Sequence, residues 1–154
     1  MKNIIKLLIS IVICQAAGLI GSIFTIPAIS SWYKSLQKPF FNPPNWIFSP
    51  VWIFLFLLMG ISLYLVWNRG ARENQKAIII FGVQLVLNIL WSIIFFGLKS
   101  PGLAFLEIII LWLAILLTII SFYKISKTAG LLLVPYILWV SFALILNFSI
   151  WQLN

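Results

Sequence analysis

The sequence predicts an all-α integral membrane protein, a bundle of five transmembrane helices forming a single domain over residues 1–154. Three observations carry that reading. Hydrophobic residues make up 64% of the chain, against ten Lys/Arg and two Asp/Glu, a composition far from that of soluble domains. Five apolar runs are each close to the roughly 20 residues that cross a ~30 Å hydrocarbon core. The connections between them contain no hydrophilic insert large enough to fold separately.

The first run, Leu7 to Thr25, is uncharged and follows Lys2 and Lys6. A secretory signal would have an apolar region of about 7 to 15 residues ending at a cleavage site. This run continues past Ala16 and Ala17 to Phe24, so it reads as helix 1, residues 5–26. Cys14, Ala17, Gly18, Gly21 and Ser22 place small side chains on adjoining turns. Such residues let helices approach closely, within the bundle or across a dimer, the first being preferred.

Residues 27–49 follow as an aromatic and proline-rich lid. Between Trp32 and Trp52 the chain carries Pro39, Pro43, Pro44 and Pro50. Each proline removes an N–H and pushes the residue before it out of the helical region, so a stiff loop is expected there. Trp32, Tyr33, Phe40, Phe41, Trp46, Phe48 and Trp52 make the loop too apolar to be a solvated connector. Pro50 suits the first turn of helix 2, residues 50–67. A polar connection (Asn68, Arg69, Gly70, Arg72, Glu73, Asn74) leads to helix 3, residues 77–98. Lys99, Ser100, Pro101 and Gly102 then make a tight turn into helix 4, residues 102–123, an antiparallel neighbour of helix 3. After a short loop, helix 5 takes residues 129–151, with Pro135 inside it as a kink that neighbouring helices must satisfy.

The net charge of +8 does not signify nucleic acid, because the basic residues are scattered at the edges of apolar runs and form no basic face. They fit contact with anionic membrane lipid and a topological role. Lys2, Lys6, Arg69, Arg72, Lys76, Lys124 and Lys127 share the side of the N-terminus, against Lys34, Lys38 and Lys99 opposite. In a bacterial plasma membrane that bias places the N-terminus in the cytoplasm and the lid outside. The chain has no histidine and one cysteine, Cys14, which excludes disulfide frameworks, His-based metal sites and His-ligated haem within one chain.

Gln84, Asn88, Trp91 and Phe95 fall on one face of helix 3. Amides facing lipid are costly, so both should point inward, either joining helices or hydrogen-bonding a ligand. The first role is preferred for Gln84, and for Asn88 the two stand level. In helix 5, Trp139, Ala143, Asn147 and Ile150 lie on one stripe with Tyr136 a turn earlier. A ring, a small residue and an amide suit a slot for a flat molecule; interfacial aromatics with a packing asparagine are the plainer reading of that pattern, and periodicity alone favours the plainer one. Glu107, the acid inside an apolar run, either accepts a hydrogen bond or stays protonated. With no titratable partners along a path it does not suggest a proton-coupled transporter. Catalytic triads, paired carboxylates and Gly-rich phosphate loops are missing, so conventional enzymatic catalysis is not expected. Indoles facing a bound chromophore leave light-driven electron transfer open.

Nearly the whole chain resembles the translocator protein family, also called tryptophan-rich sensory proteins or peripheral-type benzodiazepine receptors, in its bacterial form. The resemblance is carried by Trp32-Tyr33, Leu36, Lys38-Pro39-Phe40, Pro43-Pro44, Trp46 and Pro50-Val51-Trp52. Gln84, Asn88, Trp91 and Phe95-Phe96-Gly97 follow, and then Pro135-Tyr136, Trp139, Phe142-Ala143 and Leu146-Asn147. It implies a five-helix bundle, commonly a homodimer, that binds protoporphyrin IX and related tetrapyrroles and isoquinoline carboxamide or benzodiazepine drugs in a pocket roofed by the first loop. No cofactor is required; the porphyrin is a ligand. Matched by position, the implied pocket uses Tyr33, Pro43, Pro44, Trp46, Trp52, Asn88, Trp91, Trp139, Ala143 and Asn147. Light-dependent porphyrin breakdown, associated with bacterial relatives, would fall on Trp52 and Trp139. Transport of tetrapyrroles, or of a sterol, across the bilayer is the alternative. At the end of helix 5, where animal members carry a sterol-recognition pattern, the chain reads Asn147-Phe148-Ser149-Ile150-Trp151-Gln152, which speaks against sterol binding. Lys34 or Lys38 near the mouth would meet propionates, and metal-free porphyrin is expected in preference to haem.

Overall fold

The structure, a computed structural model, describes residues 2–154. It is a helical bundle with five spans long and apolar enough to cross a membrane, as the composition requires. The elements are α1 (Lys2–Ile29), α2 (Asn45–Asn68), α3 (Gln75–Ser92) extended by a π turn (Ile93–Gly97), α4 (Pro101–Ile125), α5 (Lys127–Leu132) and α6 (Val134–Leu153). One short 3-10 turn, Tyr33–Ser35, sits in the lid.

Two proline positions differ from the sequence expectation. α1 runs through Pro27 to Ile29 and α2 begins at Asn45, so the irregular segment covers residues 30–44 and not 27–49. Pro44 precedes the first turn of α2, where a missing N–H costs nothing. Pro50 lies inside α2, and the bond lost is the one its N–H would give Trp46 O. At the other end of the chain Pro135 does break the helix. The chain turns at Leu133, whose N–H bonds Gly130 O at 3.2 Å, and restarts with Pro135 in the first turn of α6; α5 and α6 together form the fifth span.

With lipid outside, apolar burial does not drive helix association, and close backbone approach does more of the work. At Gly60 a Cβ would lie 2.7 Å from Ile11 Cα, so α1 and α2 meet backbone to backbone. The small residues of α1 are used inside the bundle: Cys14, Ala17 and Gly21 are buried, and a Cβ at Gly18 would meet the Phe56 ring at 2.8 Å. Lys99 adopts a left-handed φ of 54° in the tight turn between α3 and α4, and Ser100 caps α4 by accepting from Leu103 N–H. The π turn closes with Leu98 N–H on Ile93 O at 2.8 Å. Such widened turns recur at functional sites; here the turn carries Phe95 and Phe96, consecutive yet both buried, into a cluster with Tyr33 and Leu146.

Candidate functional site

Between the lid and the middle of the bundle lies a cavity of about 380 Å³. α1 contributes a wall of small and hydroxyl side chains, Ala17, Gly18, Gly21, Ser22 and Thr25, which leave room where larger residues would fill the bundle. The other walls are aromatic: Trp52 and Phe56 from α2, Trp91 and Phe95 from α3 and its π turn, and Trp139 from α6. Rings hold one another in place. Trp91 stacks on Phe95 at 4.9 Å, Trp139 packs on Phe142 at 5.4 Å and on Phe48 at 6.1 Å, and Trp52 packs on Phe56 at 5.5 Å.

The floor is polar and ordered. Asn88 Nδ2 donates to Tyr136 OH at 2.8 Å, and Tyr136 OH donates to Gln84 Oε1 at 2.6 Å, linking α3 to α6. Gln84 therefore joins helices. Asn88 does the same with its Nδ2, while its Oδ1 makes no hydrogen bond among the described residues and the residue borders the cavity. Asn147 is engaged on both sides, accepting from Trp91 Nε1 at 2.9 Å and donating to Pro101 O at 2.8 Å. It positions the Trp91 indole and leaves little of its amide for a guest. The Nε1 groups of Trp52 and Trp139 make no hydrogen bond to the described residues, and both residues line the cavity.

The roof is Tyr33, 3% exposed. Its hydroxyl donates to Asn42 Oδ1 at 2.9 Å, and Asn42 Nδ2 in turn donates to Pro43 O at 3.3 Å. Burial holds the Tyr33 phenol above its usual value, the Asn42 hydrogen bond pulling it partly back. Lys38 Nζ lies 4.8 Å above the Tyr33 ring and donates to Lys34 O and Leu36 O. Of the two lysines proposed for propionates, Lys38 is thus folded into the lid and Lys34 is exposed.

Of the ten residues assigned to the pocket by position, Tyr33, Trp52, Asn88, Trp91, Trp139, Ala143 and Asn147 line the cavity. Pro43, Pro44 and Trp46 do not: Pro43 braces Asn42, Pro44 precedes α2, and Trp46 is 72% exposed in its first turn. The reason is the early start of α2. Once Asn45 is helical, Asn45, Phe48, Ser49 and Trp52 share the inward face and Trp46 points away.

The comparison with protein families then decides the membership, because the model of the TspO/MBR family matches residues 10–152. The chain belongs to the TspO/MBR family. It is 46% identical to the Tryptophan-rich protein TspO of Chlorobaculum tepidum over 155 residues, covering 99% of this chain and 98% of that one. It is 47% identical over 152 residues to the protein of the same name from Archaeoglobus fulgidus, covering 99% of both. To the Translocator protein of Homo sapiens it is 37% identical over 138 residues, 88% of this chain and 82% of that one.

In this TspO/MBR-family bundle, sequence reasoning missed several contributors. Gln15 lines the cavity and donates from Nε2 to Ile53 O at 3.0 Å; a lone amide in an uncharged run was a visible signal, the same one that marked Gln84. Ser22, Thr25, Ser49 and Ser92 also line it; Ser22 and Thr25 bond their own helix, and hydroxyls able to do so give no such signal. Glu107 is buried and neither carboxyl oxygen has a hydrogen-bond partner among the described residues, so the hydrogen-bonded alternative for it is not realised.

Proposed function

We propose that this membrane protein binds flat, amphiphilic tetrapyrroles, protoporphyrin IX foremost, in the cavity beneath Tyr33, and that isoquinoline carboxamide and benzodiazepine-type drugs compete for the same space. The observation that carries the reading is the meeting of three indoles from three helices, Trp52, Trp91 and Trp139, around one volume of about 380 Å³. That volume lies in the ~300–1,000 Å³ range of small-molecule sites. Indole faces supply stacking affinity, while Asn88 Oδ1 and the unpaired Trp52 and Trp139 N–H groups supply the few polar anchors that orient a guest. The chain has no histidine, and Cys14 is buried, so a metal-free porphyrin suits the site and no cofactor is needed.

Under illumination the bound porphyrin is photo-oxidised, with Trp52 and Trp139 as its electron-transfer partners and dissolved dioxygen as the oxidant that takes up the electrons. The protein sits in a bacterial plasma membrane with its N-terminus cytoplasmic and the lid outside, as a homodimer. The small-residue stripe of α1 is occupied within the bundle, so the dimer uses another face. Transport is the weaker reading, because it needs a second opening and the floor is closed by the Asn88, Tyr136 and Gln84 chain.

Titration of the reconstituted protein with protoporphyrin IX, in the dark and then in light, tests binding and chemistry together. Micromolar porphyrin should quench tryptophan emission, and the Trp52→Phe/Trp139→Phe double variant should keep the fold and lose photodegradation. Unchanged bleaching by that variant sinks the photochemical role; the absence of quenching sinks the binding. Net flux of porphyrin into liposomes would favour transport instead.

A further inference from the structure

The cavity has a mouth, and exposure locates it. Among its lining residues those exposed are Leu19, Ile26, Asn45, Ser49 and Ile53, all on α1 and α2. Leu19 and Ile26 are each 69% exposed and Ile53 is 60% exposed. Every lining residue from α3, its π turn and α6 is buried or half-buried, and from the irregular part of the lid Tyr33 alone reaches the cavity and closes it. The opening is therefore lateral, a slit in the lid-side half of the α1 and α2 seam.

Below the slit the seam is shut by the backbone contact of Gly60 with Ile11. Gln15 crosses it at the slit's lower edge through its bond to Ile53 O. In that antiparallel register Ser22 falls opposite Ser49, and Ile26 opposite Asn45. Leu19, Ile26 and Ile53 make apolar jambs that acyl chains can wet. The hydroxyls of Ser22 and Thr25 donate to Leu19 O at 2.7 Å and Gly21 O at 3.1 Å, so an empty slit puts no unpaired donor of theirs into hydrocarbon. Pro27 and Pro50 each remove one helix hydrogen bond beside the slit, which leaves the lid-side ends of α1 and α2 less firmly held than the sealed half.

We infer that the slit between α1 and α2 is the port by which a flat amphiphile dissolved in the lid-side leaflet enters the cavity, without crossing the lid or the water phase. That the guest is a tetrapyrrole rests on the function proposed above; the port does not.

The port is tested without porphyrin. In a Cys14→Ser/Ala143→Cys chain reconstituted in phosphatidylcholine vesicles, the thiol introduced at 143 lies on the inner wall. Pyrenyl maleimide dissolved in the bilayer should label it, and a sulfonated, membrane-impermeant maleimide in the water should not. Adding Ser49→Trp, which places an indole at the mouth, should slow labelling from the lipid about tenfold. Ser22→Trp does the same from the opposite wall if the first variant fails to fold. Labelling from water as fast as from lipid, no labelling from lipid, or a lipid-phase rate that neither indole slows would each overturn the port. If the port holds and protoporphyrin IX still fails to quench the unmodified chain, only the tetrapyrrole assignment falls.

Discussion

Asn154 grips the lid at Gln37 through both halves of its amide. Gln37 N–H donates to Asn154 Oδ1 at 3.1 Å, and Asn154 Nδ2 donates to Gln37 O at 2.9 Å. The end of α6 thereby satisfies a backbone pair that the proline-rich segment, having no regular partner strand or helix, cannot satisfy itself. Asn154→Ala removes both lid bonds and the one Nδ2 gives Ile150 O, each worth roughly 0.5–1.5 kcal/mol before screening by water. Hydrogen exchange of residues 30–44 should accelerate while the spans stay protected. Unchanged lid exchange would show that Tyr33 and Asn42 hold the lid alone.

The indoles around the cavity differ in what they leave behind when removed. Trp91→Phe deprives Asn147 Oδ1 of its donor, and Tyr136→Phe leaves Asn88 Nδ2 without its acceptor and Gln84 Oε1 without its donor at once. Buried polar groups left unpaired cost about 1–3 kcal/mol in water-soluble proteins, and interhelical bonds in bilayers are worth about 0.6 kcal/mol, up to about 1.7. Both variants should unfold at lower temperature in detergent. Trp52→Phe and Trp139→Phe orphan no partner, so their melting should stay close to that of the parent while ligand affinity falls. Equal destabilisation of all four would mean that ring packing outweighs the hydrogen bonds.

Glycines of the same helix type should separate by their surroundings. At Gly60 a Cβ would sit 2.7 Å from Ile11 Cα and 3.1 Å from Ile11 N, and backbone cannot step aside without parting α1 from α2. At Gly82 a Cβ meets nothing within 4 Å. Gly60→Ala should therefore lower stability by more than about 1–3 kcal/mol, the usual range for overpacking, and Gly82→Ala should be neutral or slightly stabilising. Melting of the two side by side checks it, and a tolerant Gly60 would show that the helices can separate.

Most of the fold is legible because lipid constrains it: a long uncharged run has one low-energy form, and the turn at Lys99 to Gly102 follows from proline chemistry, as does a disturbance at Pro135, expected as a kink and found as a break. The lid was less legible. Pro50 was read as the start of a helix that begins five residues earlier, since one lost hydrogen bond near a helix start is cheap and a single sequence does not say which prolines are tolerated inside. Trp46 entered the expected pocket through the family resemblance, and with residues 45–49 expected in the loop no helical face pointed to Asn45 and Ser49. Asn88 and Trp91 were legible from helical spacing, whereas the use of Asn147 to hold Trp91 depends on a register between α3 and α6 that no local pattern encodes.

Tyr33 should give the lid an alkaline limit. Its phenol titrates above the usual value because burial disfavours the phenolate, so the folded lid binds more protons than the opened one once the pH reaches the ordinary tyrosine range. Stability then falls as pH rises, and the contribution is complete below the unfolded value of about 10. Tyr33→Phe loses the bond to Asn42 at every pH but carries no proton to lose. The difference in lid protection between the two proteins should be constant up to about pH 9 and shrink above about pH 10. A difference that holds through the alkaline range would mean that Tyr33 ionises alike in the closed and the opened lid, so that burial does not hold its phenol up.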